Sequence, residues 1–290
     1  MNERRGLAVM LGPYLVGIVA LIVVPALVTF GLSLFEYDLI RSPEWIGLDN
    51  FRELNNDPVF ETALRNSLGY IASAVPLRLL GALTFALLLH RRFRGVGAAR
   101  TAAYLPTVVP DAAYAVLWLW LLNPLYGPIN SLLDSLGVVS PSWLTEPDAA
   151  RWAVVLMSVF QVGEGFLVAM VTRQALPQSL YDMAGMEGAG PWQTFRRVTL
   201  PLMAPTLILL MFRDTAFSLQ ANFVPALLVT EGGPPPYATT YLPVFVYQEA
   251  FGYLRYGYAA SATLVMFVVT AVIVAAQYVV VRRWRRSFVL

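Results

Sequence analysis

The sequence predicts an all-α membrane protein that crosses the bilayer six times. Of its 290 residues, 58% are hydrophobic and only 13% are charged, whereas a soluble domain carries about 25% charged residues. A membrane-spanning helix needs about 20 mostly apolar residues in succession. Six stretches meet that requirement, at about 9–33, 68–89, 103–123, 152–172, 202–222 and 259–281. Residues 1–290 are therefore interpreted as a single transmembrane domain.

The first apolar stretch is interpreted as an uncleaved membrane anchor. Arg4 and Arg5 precede it, as basic residues precede the apolar part of a secretory signal peptide. Its apolar run is longer than the roughly 7–15 residues typical of a signal peptide, and no small-residue cleavage site follows it. The sequence therefore predicts that this stretch remains as the first membrane helix.

The arginines orient the six helices. Thirteen of them fall at the two termini and in the segments after the second and fourth apolar stretches: Arg4, Arg5, Arg91, Arg92, Arg94, Arg100, Arg173, Arg196, Arg197, Arg282, Arg283, Arg285 and Arg286. Five fall in the alternate segments: Arg41, Arg52, Arg65, Arg151 and Arg255. Because basic residues concentrate in cytoplasmic segments, both termini are predicted to be cytoplasmic. The segment 36–65, which contains seven acidic residues, is expected to face outward.

The composition excludes several kinds of chemistry. The chain has no cysteine, so it cannot form thiolate metal sites or use a cysteine nucleophile. It also has no lysine, so it lacks the Walker A lysine and cannot form a Schiff base. His90 is the only histidine and has no second imidazole as a partner ligand. We therefore expect that the chain is not an enzyme, with no catalytic residues and no bound metal or cofactor.

Between the fourth and fifth apolar stretches lies a polar loop, residues 177–200, which we call the polar loop throughout. Its first part predicts a short helix from Pro177 to Gly190, because Leu180, Met183 and Ala184 fall on one apolar face. Asp182 and Glu187 flank that face. The loop is expected to be cytoplasmic.

Glycines are expected to reverse the chain within the polar loop. Gly188 and Gly190 can adopt backbone angles that other residues avoid, and Pro191 suits the first turn of a second helix. Trp192, Phe195 and Thr199 would then share one stripe. The result is a helix-turn-helix that either docks on a partner or lies on the lipid headgroups.

The polar loop resembles the EAA loop of the permeases of binding-protein-dependent ABC importers. The residues that match the spacing of that pattern are Asp182-Met183-Ala184, Glu187-Gly188-Ala189, Phe195, Val198, Leu200 and Pro201. Asp182, Met183 and Glu187 depart from the usual Glu, Ala and Asp. The segments 127–137, 228–240 and 250–267 are also similar to segments of permeases for carbohydrates and glycerol phosphates.

The resemblance implies the type I ABC importer permease fold in a bacterial cytoplasmic membrane. It implies that the loop docks in a cleft of an ATPase subunit, with these coupling residues: Leu180, Asp182, Ala184, Glu187, Gly188 and Ala189. The implied partners are a second permease subunit, two ATPase subunits that bind ATP and Mg, and an extracytoplasmic substrate-binding protein. A nucleic acid partner is not implied. The implied function is import of a sugar or sugar-like solute by alternating access.

Charged residues inside the apolar stretches indicate a polar path or internal ion pairs, because each costs about 2.5–3.5 kcal/mol at the bilayer centre. Candidates for a substrate path are Glu164, Arg213, Asp214, Gln220, Asn222 and Trp118. Alternatively, Arg213 with Glu164 and Arg78 with Asp214 form interhelical ion pairs that fix the packing. Because Arg213 and Asp214 are about 100° apart on a helix, they are not expected to face the same point.

Smaller features of the apolar stretches predict local geometry. Gly163 and Gly165 would allow neighbouring helices to approach closely. Pro25, Pro76 and Pro110 are expected to kink their helices.

Two other classes of protein compete with an ATP-driven importer. An ion-coupled secondary transporter would use Glu164 and Asp214 to carry protons and is typically built from inverted repeats, which the sequence does not show. An intramembrane enzyme would need an aspartate dyad or a serine with its base. Asp214 has no obvious second aspartate at a similar depth.

Overall fold

The structure is a computed structural model that describes residues 3–91, 93–233 and 237–288. Two compact units are present: one comprises the chain up to Glu61 together with Phe245–Val269, and the other comprises Thr62–Val244 together with the chain from Thr270 onwards. Five of the arginines used to predict the orientation are not fully described by the structure. Arg92 lies outside the described residues, and the side chains of Arg4, Arg5, Arg285 and Arg286 are not described.

Helices dominate the described residues, in agreement with the predicted all-α class. In chain order they are α1 (Glu3–Ile18), α2 (Val24–Leu32), α3 (Asp49–Asn56), α4 (Pro58–Leu89), α5 (Val96–Val108), α6 (Asp111–Leu121), α7 (Pro128–Ser135), α8 (Pro147–Phe160), α9 (Gly163–Ala175), α10 (Gln178–Met186), α11 (Pro191–Thr194), α12 (Leu200–Ala221), α13 (Phe223–Leu228), α14 (Leu242–Tyr247) and α15 (Tyr256–Phe288). π-Helical turns occupy Val19–Val23, Phe195–Thr199 and Gln248–Gly252. An antiparallel hairpin pairs β1 (Phe35–Glu36) with β2 (Glu44–Trp45).

Four of the described helices, or helices joined end to end, are long and apolar enough to cross a membrane: Met10–Leu32, Pro58–Leu89, Pro191–Leu228 and Tyr256–Arg283. Two further spans result if the bent pairs α5 with α6 and α8 with α9 each count as one. The six predicted stretches therefore map onto four helices and two bent pairs.

Residues 103–123 do not form the single continuous helix expected of the third stretch. The chain bends by 104° between α5 and α6. Val109 adopts extended angles, φ −68° and ψ 130°, because a residue that precedes proline avoids the helical region. Pro110 was expected to produce a kink, and the observed bend is sharper than a kinked helix would give.

The remaining prolines have smaller effects. Pro76 lies inside α4, which continues from residue 58 to 89 without a break. Pro25 lies in the first turn of α2, directly after the π-helical turn at Val19–Val23. The fourth predicted stretch also contains a break, because α8 ends at Phe160 and α9 begins at Gly163 with a bend of 43°.

Within the unit that contains α4, a common core joins α4, α9 and α12. Its buried members are Ala82, Leu83, Ala86, Leu89, Phe166, Ala169, Met170, Met203 and Leu210. Thr172 of α9 also hydrogen-bonds Thr206 of α12 at 3.2 Å. This core fixes the relative positions of the helices that carry Arg78, Glu164, Arg213 and Asp214.

In the unit that contains the hairpin, Arg255 links two elements through acidic side chains. Its guanidinium lies 2.5 Å from a carboxylate oxygen of Glu53 and 3.4 Å from one of Glu249. Burial raises the pKa of the Glu249 carboxyl, while the Arg255 charge opposes that shift. Tyr258 donates a hydrogen bond to Asp57 at 2.7 Å. These contacts tie α3 and its C-terminal flank to the start of α15.

The predicted close approach occurs at Gly163. A Cβ atom there would lie 2.3 Å from Thr107 Oγ1 and 3.0 Å from Tyr104 Cδ2. The same hydroxyl accepts a hydrogen bond from the Gly163 N–H at 3.0 Å. At Gly165, by contrast, an added Cβ would make an ordinary 3.4 Å contact with Ala82.

We expect Gly163→Ala to destabilise the protein by about 1–3 kcal/mol, because the methyl group overpacks the junction of α5 and α9. Gly165→Ala, the matched control, is expected to be neutral or slightly stabilising, since alanine is favoured over glycine inside a helix. Thermal unfolding in detergent, followed by loss of the monodisperse peak, checks both. Equal midpoints for the two variants would contradict the close approach.

Candidate functional site

A charged cavity of about 290 Å³ lies among α4, α5, α6, α9 and α12. We call it the charged cavity. Its charged lining residues are Arg78, Asp111, Glu164, Arg213 and Asp214, and Thr107, Gln161 and Phe217 also line it. The structure therefore brings together three of the six residues predicted for a substrate path.

Two ion pairs cross the charged cavity. Arg213 of α12 hydrogen-bonds Glu164 of α9, and Arg78 of α4 lies 3.6 Å from Asp214 of α12. Arg213 also lies 3.9 Å from Asp214. Both pairings proposed from the sequence are present, and the neighbours Arg213 and Asp214 reach different helices, as their positions on α12 require.

The two pairs differ in exposure. The side chains of Arg78 and Asp214 are 11% and 17% exposed, whereas those of Arg213 and Glu164 are 38% and 52% exposed. Arg78 also donates to the Asp214 carbonyl oxygen at 3.3 Å and to the Ser218 hydroxyl at 2.5 Å. The Arg78–Asp214 pair is thus built into the packing, while the Arg213–Glu164 pair faces open space.

Two of the acidic residues that line the charged cavity lie at the start of a helix that follows a break. Glu164 lies in the first turn of α9, after the break that follows Phe160, and Asp111 begins α6 after the bend at Pro110. Acidic groups are favoured in the first turn by the helix dipole. Sequence reasoning missed Asp111 as a lining residue, although the adjacent Pro110 marked the position of the break.

The other predicted path residues lie outside the lining of the charged cavity. Trp118 is buried and packs its ring against Tyr114 and Phe160, at centroid distances of 6.1 and 5.3 Å. Gln220 is exposed. Asn222 is fully buried, and neither its amide nitrogen nor its amide oxygen has a hydrogen-bond partner among the described residues.

The polar loop contains the predicted helix-turn-helix. α10 covers Gln178–Met186. Gly188, two residues after its end, has left-handed backbone angles with a φ of +76°. The Ala189 N–H donates to the Ala184 carbonyl at 2.9 Å, and the Gly188 N–H donates to that of Gly185 at 3.0 Å. These two bonds define a Schellman motif, which favours glycine at the left-handed position.

Gly190 does not need to be glycine for its own backbone angles, since its φ of −69° and ψ of 167° are open to any residue. Its N–H donates to the side chain of Gln193 at 3.2 Å, and Pro191 begins α11. The reversal between the two helices thus depends on one glycine, not on two.

The face of α10 that packs differs from the predicted one. Ala184 is buried and Leu180 is partly buried, but the side chain of Met183 is 50% exposed. Asp182 and Glu187 are also exposed, and the only side-chain hydrogen bond that the described residues offer Asp182 comes from Gln178 within α10. Met183 is therefore exposed, although it shares the helical periodicity of Leu180 and Ala184.

The imidazole of His90 contacts a backbone carbonyl group three residues earlier in the chain. Its Nδ1 atom lies 2.7 Å from the Leu87 carbonyl oxygen. Burial lowers the pKa of this imidazole, and the nearby charges of Arg173, Arg91 and Arg100 lower it further. Across the described residues, no group of three His, Asp or Glu side chains is placed to hold a metal ion.

Known proteins are similar to this chain in sequence and in structure. Residues 86–286 match the family described as "Binding-protein-dependent transport system inner membrane component". The chain is 32% identical over 267 residues to "Probable ABC transporter permease protein YesP" of Bacillus subtilis, covering 91% of this chain and 86% of that protein. It is 30% identical to "Trehalose/maltose transport system permease protein MalF" of Thermococcus litoralis, covering 96% and 94%.

A more distant relative is "Sulfoquinovosyl glycerol transport system permease protein SmoG" of Agrobacterium fabrum, 27% identical with 97% and 92% covered. In structure, the chain is similar to a chain of a bacterial ABC transporter involved in the import of the acidic polysaccharide alginate. That likeness has a TM-score of 0.84 at 25% identity and covers 97% of this chain and 96% of the other.

A bundle of apolar helices, broken spans and a protruding helix-turn-helix define a membrane permease of the type I ABC importer fold. The chain belongs to the family of inner membrane components of binding-protein-dependent transport systems.

The unequal exposure of the two ion pairs predicts unequal effects on stability. Asp214→Asn leaves the Arg78 guanidinium buried without its carboxylate, and we expect a loss of about 3 kcal/mol or more. Glu164→Gln, the matched control, removes a charge from a pair open to solvent, where the expected loss is about 0–1 kcal/mol. Thermal unfolding of the purified protein would measure both. A larger loss for Glu164→Gln would show that the pairs have been assigned in the wrong order.

Proposed function

We propose that this chain is the membrane-spanning subunit of an ATP-driven importer and that it moves a sugar or sugar-like solute into the cytoplasm by alternating access. The observation that carries the proposal is the connection of the polar loop to α12. An exposed helix-turn-helix leads directly into the helix that carries Arg213 and Asp214. A force applied to the loop therefore acts on the charged cavity.

The charged cavity suits a polyhydroxyl solute. The Glu164 carboxylate and the Gln161 amide can accept hydrogen bonds from hydroxyl groups, and the exposed ring of Phe217 offers a surface for the apolar face of a sugar. MalF and SmoG are named for trehalose or maltose and for sulfoquinovosyl glycerol, respectively.

The energy must come from other subunits. A chain without lysine has no Walker A lysine to grip a nucleotide phosphate, so ATP and Mg would bind to two partner ATPase subunits. Asp182, Glu187 and Met186 are exposed on the polar loop and available to such a partner. A second permease subunit and an extracytoplasmic binding protein complete the proposed assembly, with both termini and the polar loop in the cytoplasm.

An ion-coupled mechanism through Glu164 and Asp214 is less well supported. A proton carrier must change its charge during each cycle, but Asp214 is paired with the buried Arg78. Protonation of Asp214 would leave a buried cation without a partner. Glu164 is likewise paired with Arg213.

The proposal is tested by affinity purification of this chain from its native membrane and identification of the proteins that accompany it. An ATPase and a second permease are expected with the parent chain. Gly188→Val should insert normally but lose the ATPase, because a β-branched residue is strained at a left-handed φ. Gly190→Ala is the matched control and should retain the ATPase, since its backbone angles suit alanine.

Two outcomes would contradict the proposal. If the Gly188→Val chain retains the ATPase and normal uptake, the polar loop is not the coupling element. If the parent chain purifies alone in an active form, and uptake collapses with an uncoupler, the secondary-transporter mechanism applies.

A further inference from the structure

We infer that Tyr181 is a positioning residue that clamps α10 to α9 and to the π-helical turn that leads into α12, so that a displacement of α10 reaches Glu164 and Arg213 together. The inference rests on the proposed function, because it assigns the route by which a partner ATPase would act on the charged cavity. Tyr181 belongs to neither of the residue sets predicted from the sequence.

The side chain of Tyr181 contacts α9, which precedes α10, and the π-helical turn Phe195–Thr199, which leads into α12. Its ring lies under the guanidinium of Arg173, with 4.1 Å between the ring centroid and Cζ. Its hydroxyl lies 3.2 Å from the hydroxyl of Thr199. Arg173 is in the last turn of α9, and Thr199 ends the π-helical turn that leads into α12. One side chain of α10 therefore contacts both α9 and the turn that leads into α12.

The two partners of Tyr181 are shielded from water to different degrees. Thr199 is 4% exposed, whereas Arg173 and Tyr181 are partly buried. The Nε atom of Arg173 is buried without a hydrogen-bond partner among the described residues, and the aromatic ring of Tyr181 stabilises this guanidinium.

The other prominent side chains of the polar loop do not offer this connection. Met183, Met186 and Trp192 are exposed, and Asp182 hydrogen-bonds only within α10 in the described structure. These residues are free to meet a partner protein. Tyr181 lies on the opposite side of α10 and faces the helices.

Beyond the clamp, α9 and α12 pack against each other through a shared buried core. Phe166 and Met170 of α9 share a buried core with Met203 and Leu210 of α12. Glu164 lies at the far end of α9 from Arg173, and Arg213 lies along α12 beyond that core. A displacement that enters through Tyr181 would therefore move these helices relative to α5 and α6, which contribute Thr107 and Asp111 to the lining of the charged cavity.

The absence of native cysteine allows a test that does not require the substrate. Phe217→Cys places one thiol at the lining of the charged cavity, and fluorescein maleimide can label only that site on this chain. The complete complex is reconstituted in nanodiscs. The labelling rate is then compared between the nucleotide-free state and the state trapped with ATP and vanadate.

In the Phe217→Cys background we expect trapping to change the labelling rate by about fivefold or more, the lower end of typical coupling between distant sites. Adding Tyr181→Leu should abolish that response while the ATPase stays bound and ATP hydrolysis continues. The same substitution at Tyr126, an exposed tyrosine in another loop, should leave the response intact.

The hydroxyl contact has its own variants. Tyr181→Phe and Thr199→Val should each weaken the response, and the double variant should be no weaker than either single one, because both remove the same contact. Additive losses would show that the two hydroxyls act independently and would overturn the clamp.

Three further results would overturn the inference in distinguishable ways. If Tyr181→Leu retains the full response, transmission does not pass through this side chain. If Tyr181→Leu releases the ATPase, Tyr181 is a docking residue and not a positioning residue. If the labelling rate does not respond in the parent Phe217→Cys complex, the proposed function itself fails, and the inference fails with it.

Discussion

The pairing of charges inside an apolar bundle is the constraint on which the rest of the structure depends. Arg78, Glu164, Arg213 and Asp214 all lie in stretches otherwise composed for lipid, where an unpaired charge costs several kilocalories per mole. Each of the four has an oppositely charged partner on another helix. These pairs fix which faces of α4, α9 and α12 meet, and the small and apolar residues between the helices then complete the packing.

The breaks in the helices follow from the same constraint. A continuous helix buries its backbone groups and presents only side chains, whereas a helix that begins within the bundle also presents free N–H groups. α6 and α9 both begin next to the charged cavity, and each has an acidic residue in its first turn. Pro110 and Gly163 create these helix ends. The residues that interrupt the third and fourth apolar stretches are thus also the residues that place polar groups at the cavity.

Local signals in the sequence predicted much of this arrangement. The reversal at Gly188 could be predicted because a left-handed residue after a short helix strongly favours glycine. The two ion pairs could be predicted because four charges in an apolar medium have few possible partners. The polar loop could be located because its charged, glycine and proline residues are spaced as in the EAA loop and lie between two apolar stretches. The turn and the loop depend on residues that are close in sequence, and the ion pairs depend on a small number of possible pairings.

Tertiary packing determined what the sequence could not predict. Trp118 is close in sequence to the helix break, but packing against Phe160 buries it away from the lining. Met183 has the periodicity of a packed residue, yet the orientation of α10 exposes it. Proline indicated a break near residue 110, but the angle of 104° depends on the helices against which α5 and α6 pack.

The unequal burial of the two ion pairs gives them different physical roles. Breaking the Arg78–Asp214 pair would leave two charges in an apolar environment, so this pair holds α4 and α12 together. The Arg213–Glu164 pair is open to the cavity, where water or a solute hydroxyl can replace either partner. Arg213 also has a second carboxylate within 3.9 Å, that of Asp214. If Arg213 and Glu164 separate, Arg213 keeps the Asp214 carboxylate beside it, whereas the Glu164 carboxylate then needs hydrogen-bond donors from water or from a solute.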